Sequence, residues 1–300
     1  MKISVVIPAH NAELFIANAI DSCLHQTPQP HEVIVVDDGS TDRTVAIAES
    51  YSPSVHVIRL SRNEGCASAR NRGIQEASGD WIAPLDADDW FLPGKFAAQA
   101  RCLEQNPHAK FLYSGFRAIR EDHSSDVPAF PVNKLSSMLR YRSPFGVASV
   151  VFRRDASLLL GGFDTTLRHA EDWDFFLRFL ERFSTAAFAC TPEILSAYRI
   201  HPASKSHQTM PTYNARKHIM NGVSLHGLSG LKRPIWRRKL NSFLHFDFSI
   251  VMREENSPRD LEFVLRSLLL WPFPSEAIPL KRYLVAAVMM KQHLQKSLRK

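Results

Sequence analysis

The chain has 300 residues, 45% of them hydrophobic and 22% charged, with a formal net charge of +7. That length suits one large α/β domain or two smaller ones, and the composition excludes an intrinsically disordered chain. No run of about 18 uncharged apolar residues occurs, so no membrane-spanning helix is expected. Cys23, Cys66, Cys102 and Cys190 are scattered without a Cys-x-x-Cys pair, a pattern of free thiols rather than of a disulfide frame or zinc site.

The first half alternates strands and helices, which predicts a largely parallel sheet with helices on both faces. Strands are expected at Ile3–Ile7, Glu32–Val36, Val55–Leu60 and Trp81–Leu85. Helices are expected at Glu13–Gln26, from Thr41-Asp42 to about Ser50, and at Ala67–Ala77. Beyond Phe91 the pattern predicts a helix over about Gly94–Glu104, a strand at Phe111–Phe116 and an exposed polar loop near Glu121–Pro131. A strand at Val147–Phe152 and a turn at Gly161-Gly162-Phe163-Asp164 follow. Glu171–Phe183 reads as a strong amphipathic helix, and Ile194–Ile200 as a last strand leading into His201-Pro202. Residues beyond Thr209 read as almost entirely helical, which divides the chain into a domain over 1–209 and a helical extension over 210–300. That extension carries 16 Lys+Arg against 6 Asp+Glu, so the basic character of the chain lies there. With no zinc-finger spacing or RNA-recognition motif, no nucleic-acid partner is expected. The bulky apolar groups of Leu261–Trp271 and Lys281–Met290, set among basic residues, fit an anionic inner-leaflet membrane surface. They equally fit packing on the first domain or a dimer contact. The first residues lack the pattern of a secretory signal, so the expected location is cytoplasmic, with a peripheral position at the inner membrane as the variant.

The run Leu85-Asp86-Ala87-Asp88-Asp89 closes the fourth strand. Three carboxylates held together call for a cation or for donor groups. Strand alternation puts Asp86 and Asp88 on one face, where they can share one ion, and turns Asp89 away. Oxygen ligands of this kind suit Mg²⁺ or Mn²⁺. Asp37-Asp38-Gly39-Ser40 ends the second strand in a similar way. There Asp38 can accept from a base N–H while Gly39 lets backbone donors approach, or Asp37 and Ser40 simply cap the next helix.

The segments Ser4-Val5-Val6-Ile7-Pro8-Ala9-His10-Asn11, Val36–Asp42, Ala69-Arg70-Asn71-Arg72-Gly73 and Leu85–Asp89 occur in an order and spacing that resemble one family. Gly161–Asp164, Glu171-Asp172-Trp173-Asp174 and Tyr198-Arg199-Ile200-His201 continue the series. Together they look like the family-2 glycosyltransferases with the GT-A fold, across residues 3 to about 206. Each piece is loose, and their joint order is specific. The resemblance implies an inverting, metal-dependent enzyme using a nucleotide-sugar donor, most simply a UDP-sugar, with Mn²⁺ or Mg²⁺.

It further implies a role for each matching residue. Pro8, Ala9 and His10 would border the base, with His10 standing where many members carry tyrosine. Asp38 would bind the base, Asp86 the ribose or donor sugar, and Arg70 the donor unless it only forms a surface pair. Asn71 and Gly73 would serve close helix–sheet packing. Asp88 and His201 would hold the metal, with Arg199 and His201 gripping the pyrophosphate. Asp89 would either reach the ion or cap a helix at Trp90. Asp172 would be the general base toward the acceptor hydroxyl, and Glu171 would orient it or bind the acceptor. Ser204–His207 would form a lid over the donor. The acceptor would be a glycan or lipid-linked hydroxyl in cell-surface polysaccharide synthesis. Two competitors remain at this level: a nucleotidyltransferase sharing the sheet and acidic site, and a catalytically silent sugar-nucleotide-binding scaffold recruited to membranes.

Overall fold

A computed structural model describes residues 1–201, 208–222, 232–254, 257, 259–273, 283 and 285–291. The chain separates into two compact units, Met1–Leu139 with Ser143–Pro202, and Arg140–Arg142 with Ala203–Lys300. The division thus falls a few residues before the expected 209, and a short internal segment joins the second unit. The Tyr141 ring explains that transfer, since it lies 5.0 Å from Phe243 and 6.4 Å from Trp236, ring centroid to centroid.

In the first unit β1 (Ile3–Ala9), β2 (Glu32–Asp37), β3 (Val55–Arg59) and β4 (Trp81–Pro84) form a parallel half-sheet in the order β3-β2-β1-β4. All seven β1 side chains are buried because helices cover both faces of this central strand. The register aligns Ala9 with Asp37 and Asp37 with Arg59, and the Leu85 amide donates to the Val6 carbonyl at 3.0 Å. The carboxyl ends of these strands therefore share one edge. The chain moves outward from β1 to β2 and β3, then returns to the other side of β1 as β4. That reversal is a topological switch point between β1 and β4, where open α/β sheets bind ligands.

Helix α1 (Ile16–Leu24) follows β1, α2 (Thr44–Glu49) follows β2, and α3 (Cys66–Glu76) follows β3. A Cβ on Gly73 would come within 2.4 Å of Val6 and 3.2 Å of Val36, so only glycine lets α3 lie this close to the sheet. Asn71 does a different job from the expected helix–sheet packing. It donates to the Phe163 carbonyl at 2.8 Å and accepts from the Phe163 amide at 2.7 Å, clasping the Gly162-Phe163 turn.

The sheet continues through β8 (Val150–Arg153), β6 (Phe111–Ile119), β9 (Phe188–Arg199) and β5 (Trp90–Phe91). Here β8 is antiparallel to both neighbours and β6 and β9 run parallel. The expected exposed loop after β6 contains β7 (Ser124–Val127), which pairs antiparallel with the outer end of β6. Its residues are polar and mostly exposed, so the hydrophobic pattern gave no strand signal. Strand β9 starts six residues earlier than expected. Pro192 hid the connection, and the ladder to β6 accommodates it with register shifts between Cys190 and Ile194.

Helices α4 (Lys95–Gln105), α5 (Val132–Leu139), α6 (Arg154–Leu159) and α7 (Glu171–Phe183) complete the unit. Phe175, Phe176 and Phe179 of α7 pack against Phe111, Phe145, Phe152, Phe163 and Phe188. Aromatic burial on this scale fixes the helix axis, and with it the position of the acidic pair at the α7 N-terminus.

The described part of the second unit is helical, with α8 (Thr209–Gly222), α9 (Lys232–Glu254) and α10 (Asp260–Leu270). Arg216 pairs with Asp247 at 2.9 Å, and the Tyr213 hydroxyl lies 3.1 Å from His245 Nε2. Among the described residues no helix is long and apolar enough to cross a membrane. The expected lid at Ser204–His207 lies outside the described residues, as do Lys281 and Arg282 of the last apolar segment.

Candidate active site

The site is built on two groups of charges, both fixed by the acidic loop after β4. That loop is a tight turn, closed by the Asp89 amide donating to the Asp86 carbonyl at 3.0 Å. It is held at one end by β4 and at the other by β5, whose Trp90 and Phe91 pair antiparallel with Ala197 and Ser196 of β9. Asp86 and Asp88 keep side-chain exposures of 28% and 30%, while Asp89 is buried. Asp89 is thus turned inward by a turn rather than by strand alternation, and Asp86 and Asp88 take different partners, Arg70 and His201. No helix begins at Trp90, so Asp89 is not a helix cap.

In the first group Arg70 is buried in α3 and is no surface pair. Its Nη2 meets Asp86 Oδ1 at 2.5 Å and its Nη1 meets Glu171 Oε1 at 2.9 Å, joining the acidic loop to α7. Phe163 lies beneath the guanidinium, 5.2 Å from its carbon, and Nε is buried without a hydrogen-bond partner. Burial works against the Arg70 charge, but Asp86, Cys66 and Glu171 more than offset it and push its pKa well above the ordinary value. Asp172 sits beside Glu171, half-buried, with its carboxyl raised to about 6 by burial and then by the Glu171 charge. Arg70 pulls in the opposite direction. Ala170, just before this pair, adopts the left-handed conformation at φ +57°, a strained position for a residue with a Cβ.

In the second group His201 Nε2 donates to Asp88 Oδ2 at 3.0 Å. The Asp88 carboxyl is raised by burial and by the Asp86 charge, and His201 offsets part of that. Asp89 is raised well above the carboxylate range by burial, Asp86 and Asp88. Its Oδ1 accepts the Arg199 backbone amide at 2.9 Å, and Arg199 Nε donates to the Asp88 carbonyl at 3.1 Å. The Arg199 guanidinium lies between two rings, 4.8 Å from Trp90 and 5.2 Å from Phe15. Phe15 also sits 5.2 Å from the His201 ring. Sequence reasoning missed both Phe15 and Trp90. Phe15 falls off the buried stripe of α1 defined by Ile16, Ile20 and Cys23, and a half-buried aromatic beside such a stripe was the available signal.

The donor set fits a hard divalent cation. Carboxylate oxygen with imidazole nitrogen suits Mn²⁺, and Asp88 and His201, now joined by a hydrogen bond, would both hold the ion once the imidazole nitrogen gave up the shared proton. Three crowded carboxylates with raised pKa values in two of them also favour an added positive charge. Among the described residues no three His, Cys, Asp or Glu side chains converge as a complete ligand set, so further ligands would come from a bound diphosphate and water.

At the carboxyl end of β1, Pro8 and Ala9 are buried and His10 is exposed. His10 Nδ1 donates to the Asp38 carbonyl at 2.9 Å, which fixes the proton on that nitrogen in the neutral ring. The Asp38 carboxylate accepts the Glu64 amide at 2.7 Å and the Gly65 amide at 2.8 Å. Asp38 therefore organises the loop before α3, and only its second lone pairs remain for a base. Gly65 has φ +99°, and a Cβ there would come within 2.3 Å of the Arg168 guanidinium. Asp37 accepts the Ser40 amide, while Asn11 bridges the two loops through Ser40 and Thr41.

Glycosyl transferase family 2 matches residues 4–154 of this chain. An uncharacterized glycosyltransferase of Haemophilus influenzae is 30% identical over 72% of this chain and 74% of its own length. The uncharacterized glycosyltransferase EpsJ of Bacillus subtilis is 29% identical over 92% of this chain and 86% of its own length. In backbone shape the chain is similar to S. aureus TarS 1-349 in complex with UDP-GlcNAc, with a TM-score of 0.66, 19% identity and coverage of 94% and 83%. It is also similar to the mannosyltransferase PcManGT from Pyrobaculum calidifontis in complex with GDP-Man and Mn²⁺, with a TM-score of 0.63, 17% identity and coverage of 99% and 82%. With acidic residues at the switch point of a parallel half-sheet and with matches of this extent, the chain belongs to glycosyl transferase family 2, and its fold is GT-A-like.

Proposed function

We propose that this enzyme is an inverting, metal-dependent transferase that moves a sugar from a UDP-sugar to a hydroxyl of a glycan or lipid-linked acceptor in cell-surface polysaccharide synthesis. The observation that carries the reading is Asp172. It is a carboxylate with a pKa near 6, next to Glu171, which Arg70 ties to the acidic loop. A group of that pKa is largely ionised at neutral pH and still basic enough to take a proton.

Each residue then has a task. Pro8, Ala9, His10 and Asp38 bound the nucleotide end, and Asp86, held by Arg70, faces the ribose or the sugar. Asp88 and His201 hold Mn²⁺ or Mg²⁺, which when bound neutralises charge on the departing diphosphate. Asp172 accepts the acceptor hydroxyl proton as that oxygen bonds to the anomeric carbon and the bond from carbon to diphosphate oxygen breaks. Glu171 pairs with Arg70 and keeps Asp172 turned toward the acceptor.

UDP is supported by the TarS complex with UDP-GlcNAc, although the PcManGT complex holds GDP-Man. Incubating the full chain with Mn²⁺ and individual sugar nucleotides should release nucleoside diphosphate from one of them. Release of sugar 1-phosphate would instead establish attack on the α-phosphate, as in nucleotidyl transfer, and binding without turnover under any acceptor would favour the silent scaffold.

The acceptor reading draws on the second unit. Leu265, Leu269 and Phe273 are exposed on and just after α10 in the basic part of the chain. Such a ridge suits an anionic membrane carrying a lipid-linked acceptor. Leu269→Ser with Phe273→Ser should reduce sedimentation with anionic vesicles, and undiminished sedimentation would remove the membrane from the proposal.

A further inference from the structure

Arg199 and Asp89 are the two charged residues of the acidic loop and its partner strand that the proposed chemistry leaves without a clear task. Asp89 is 1% exposed, and its carboxylate accepts a backbone amide. Arg199 spends its Nε on the Asp88 carbonyl, and its guanidinium carbon lies over both the Trp90 and the Phe15 rings. Guanidinium groups between aromatic faces are held by ring electrostatics and by dispersion, and a lysine ammonium does not reproduce that stacking. The same contacts engage three pieces of chain: the acidic loop, the end of β9 and the residue before α1.

We infer that Asp89 and Arg199 form a latch that clamps residues 199–201 onto the acidic loop and so sets His201 beside Asp88. Both are positioning residues, Asp89 through the Arg199 backbone and Arg199 through the Phe15–Trp90 sandwich. Neither touches the donor, and Asp89 does not touch the ion. The placement of His201 follows from this chain of contacts: it is two residues beyond Arg199, its ring rests on the Phe15 that Arg199 also covers, and its Nε2 meets Asp88. The consequence for ion binding rests on the reading of Asp88 and His201 as ligands. The latch itself does not.

Two measurements on the full chain separate these claims. Hydrogen–deuterium exchange reads the latch directly, because the Arg199 amide is protected by Asp89. Asp89→Ala should speed exchange in peptides covering 199–201 by about tenfold or more. If that variant does not fold, Phe15→Leu, which removes one wall of the sandwich, should accelerate the same amides. Unchanged exchange in the folded variants overturns the latch. A Mn²⁺ titration followed by thermal shift in the presence of UDP reads its effect on the ion site. Arg199→Met and Arg199→Lys should both raise the Mn²⁺ concentration needed by about tenfold, with UDP binding in EDTA unchanged within about twofold. Loss of UDP binding in EDTA with an unaltered Mn²⁺ requirement would show that Arg199 grips the diphosphate, and would overturn its positioning role. Asp88→Asn is the companion control. If it leaves the Mn²⁺ response intact, the ion-ligand reading fails, and faster exchange in Asp89→Ala still supports the latch.

Discussion

The Arg70 group and the Asp88 group start from the same five-residue loop but balance their charge in opposite ways. In the first, a guanidinium buried in α3 is shared by Asp86 and Glu171 through two short ion pairs and offsets part of their charge. In the second, Asp88 and Asp89 have only an imidazole, a backbone amide and an arginine stacked on rings. Their carboxyls accordingly rise, whereas the first group keeps a fully charged arginine. On the proposed reading, the first group, cross-linked by Arg70, serves as a fixed platform for the base, and the second would receive a cation.

The comparison is broken most severely at the base. Asp172→Asn should lower transfer by about 10²–10⁴-fold while UDP binding persists, measured by nucleoside diphosphate release against calorimetric binding. Wild-type kcat/KM should climb with pH through about 6, where Asp172 ionises. The same raised pKa makes Asp172 a burden on stability. The folded state holds its proton more tightly than the unfolded chain does, so stability falls as pH rises from about 4 to about 6. Asp172→Asn should therefore be more stable than the wild type above pH 6, by up to about 3 kcal/mol before screening is considered, and equal to it below pH 4. Equal Tm values at pH 7.5 would show that Asp172 is not under that strain.

Next in size is Arg70→Met, which leaves Asp86 and Glu171 without their shared counter-ion. Breaking a buried pair from one side costs about 3–5 kcal/mol, so urea unfolding should shift by that amount. A loss below about 1 kcal/mol would mean that Arg70 does not hold the acidic loop to α7. For the second group, Mn²⁺ with UDP should stabilise the wild type by about 2.7 kcal/mol at one hundred times its Kd, and Asp88→Asn or His201→Ala should abolish that gain. An equal gain in both variants would place the ion elsewhere.

The smallest expected effect comes from a third buried charge that has neither solution. Lys95 is fully buried at the start of α4, with Nζ 5.1 Å from the Phe91 ring and no hydrogen-bond partner. Burial lowers its pKa to about 7. Because the unfolded chain binds this proton more tightly, stability should rise as pH increases from about 7 to about 10.5. Lys95→Met should stabilise the protein at pH 7 by on the order of 2 kcal/mol, with the difference fading toward pH 10, as read by thermal unfolding across pH. A constant difference at all pH values would mean that the amine finds compensation in the folded state.

The parallel half-sheet was legible because each of its β–α units carries its own signals. Apolar runs such as Glu32–Val36 and Trp81–Leu85 end in acidic or glycine-containing turns, and those are local properties. The amphipathic α7 was legible to the residue for the same reason. The second half of the sheet was less so, since β5 and the start of β9 exist only through partners far along the chain, and β7 is an exposed polar hairpin arm without a hydrophobic pattern. Two residues of Trp90–Phe91 contain no strand pattern of their own.

Amino-acid order by itself determined the family, the sheet edge on which the acids lie and the identity of the charged side chains, because motif spacing and hydrophobic period are written within short segments. Only the tertiary structure decided how those charges are shared. Arg70 turned inward to Asp86 and Glu171, Asp38 onto the amides of Glu64 and Gly65, and Asp89 onto the amide of Arg199. Each of these choices depends on the distance between groups separated by 16 to 110 positions in the chain, and on how far burial strips them of water. Neither quantity can be read from neighbours in sequence.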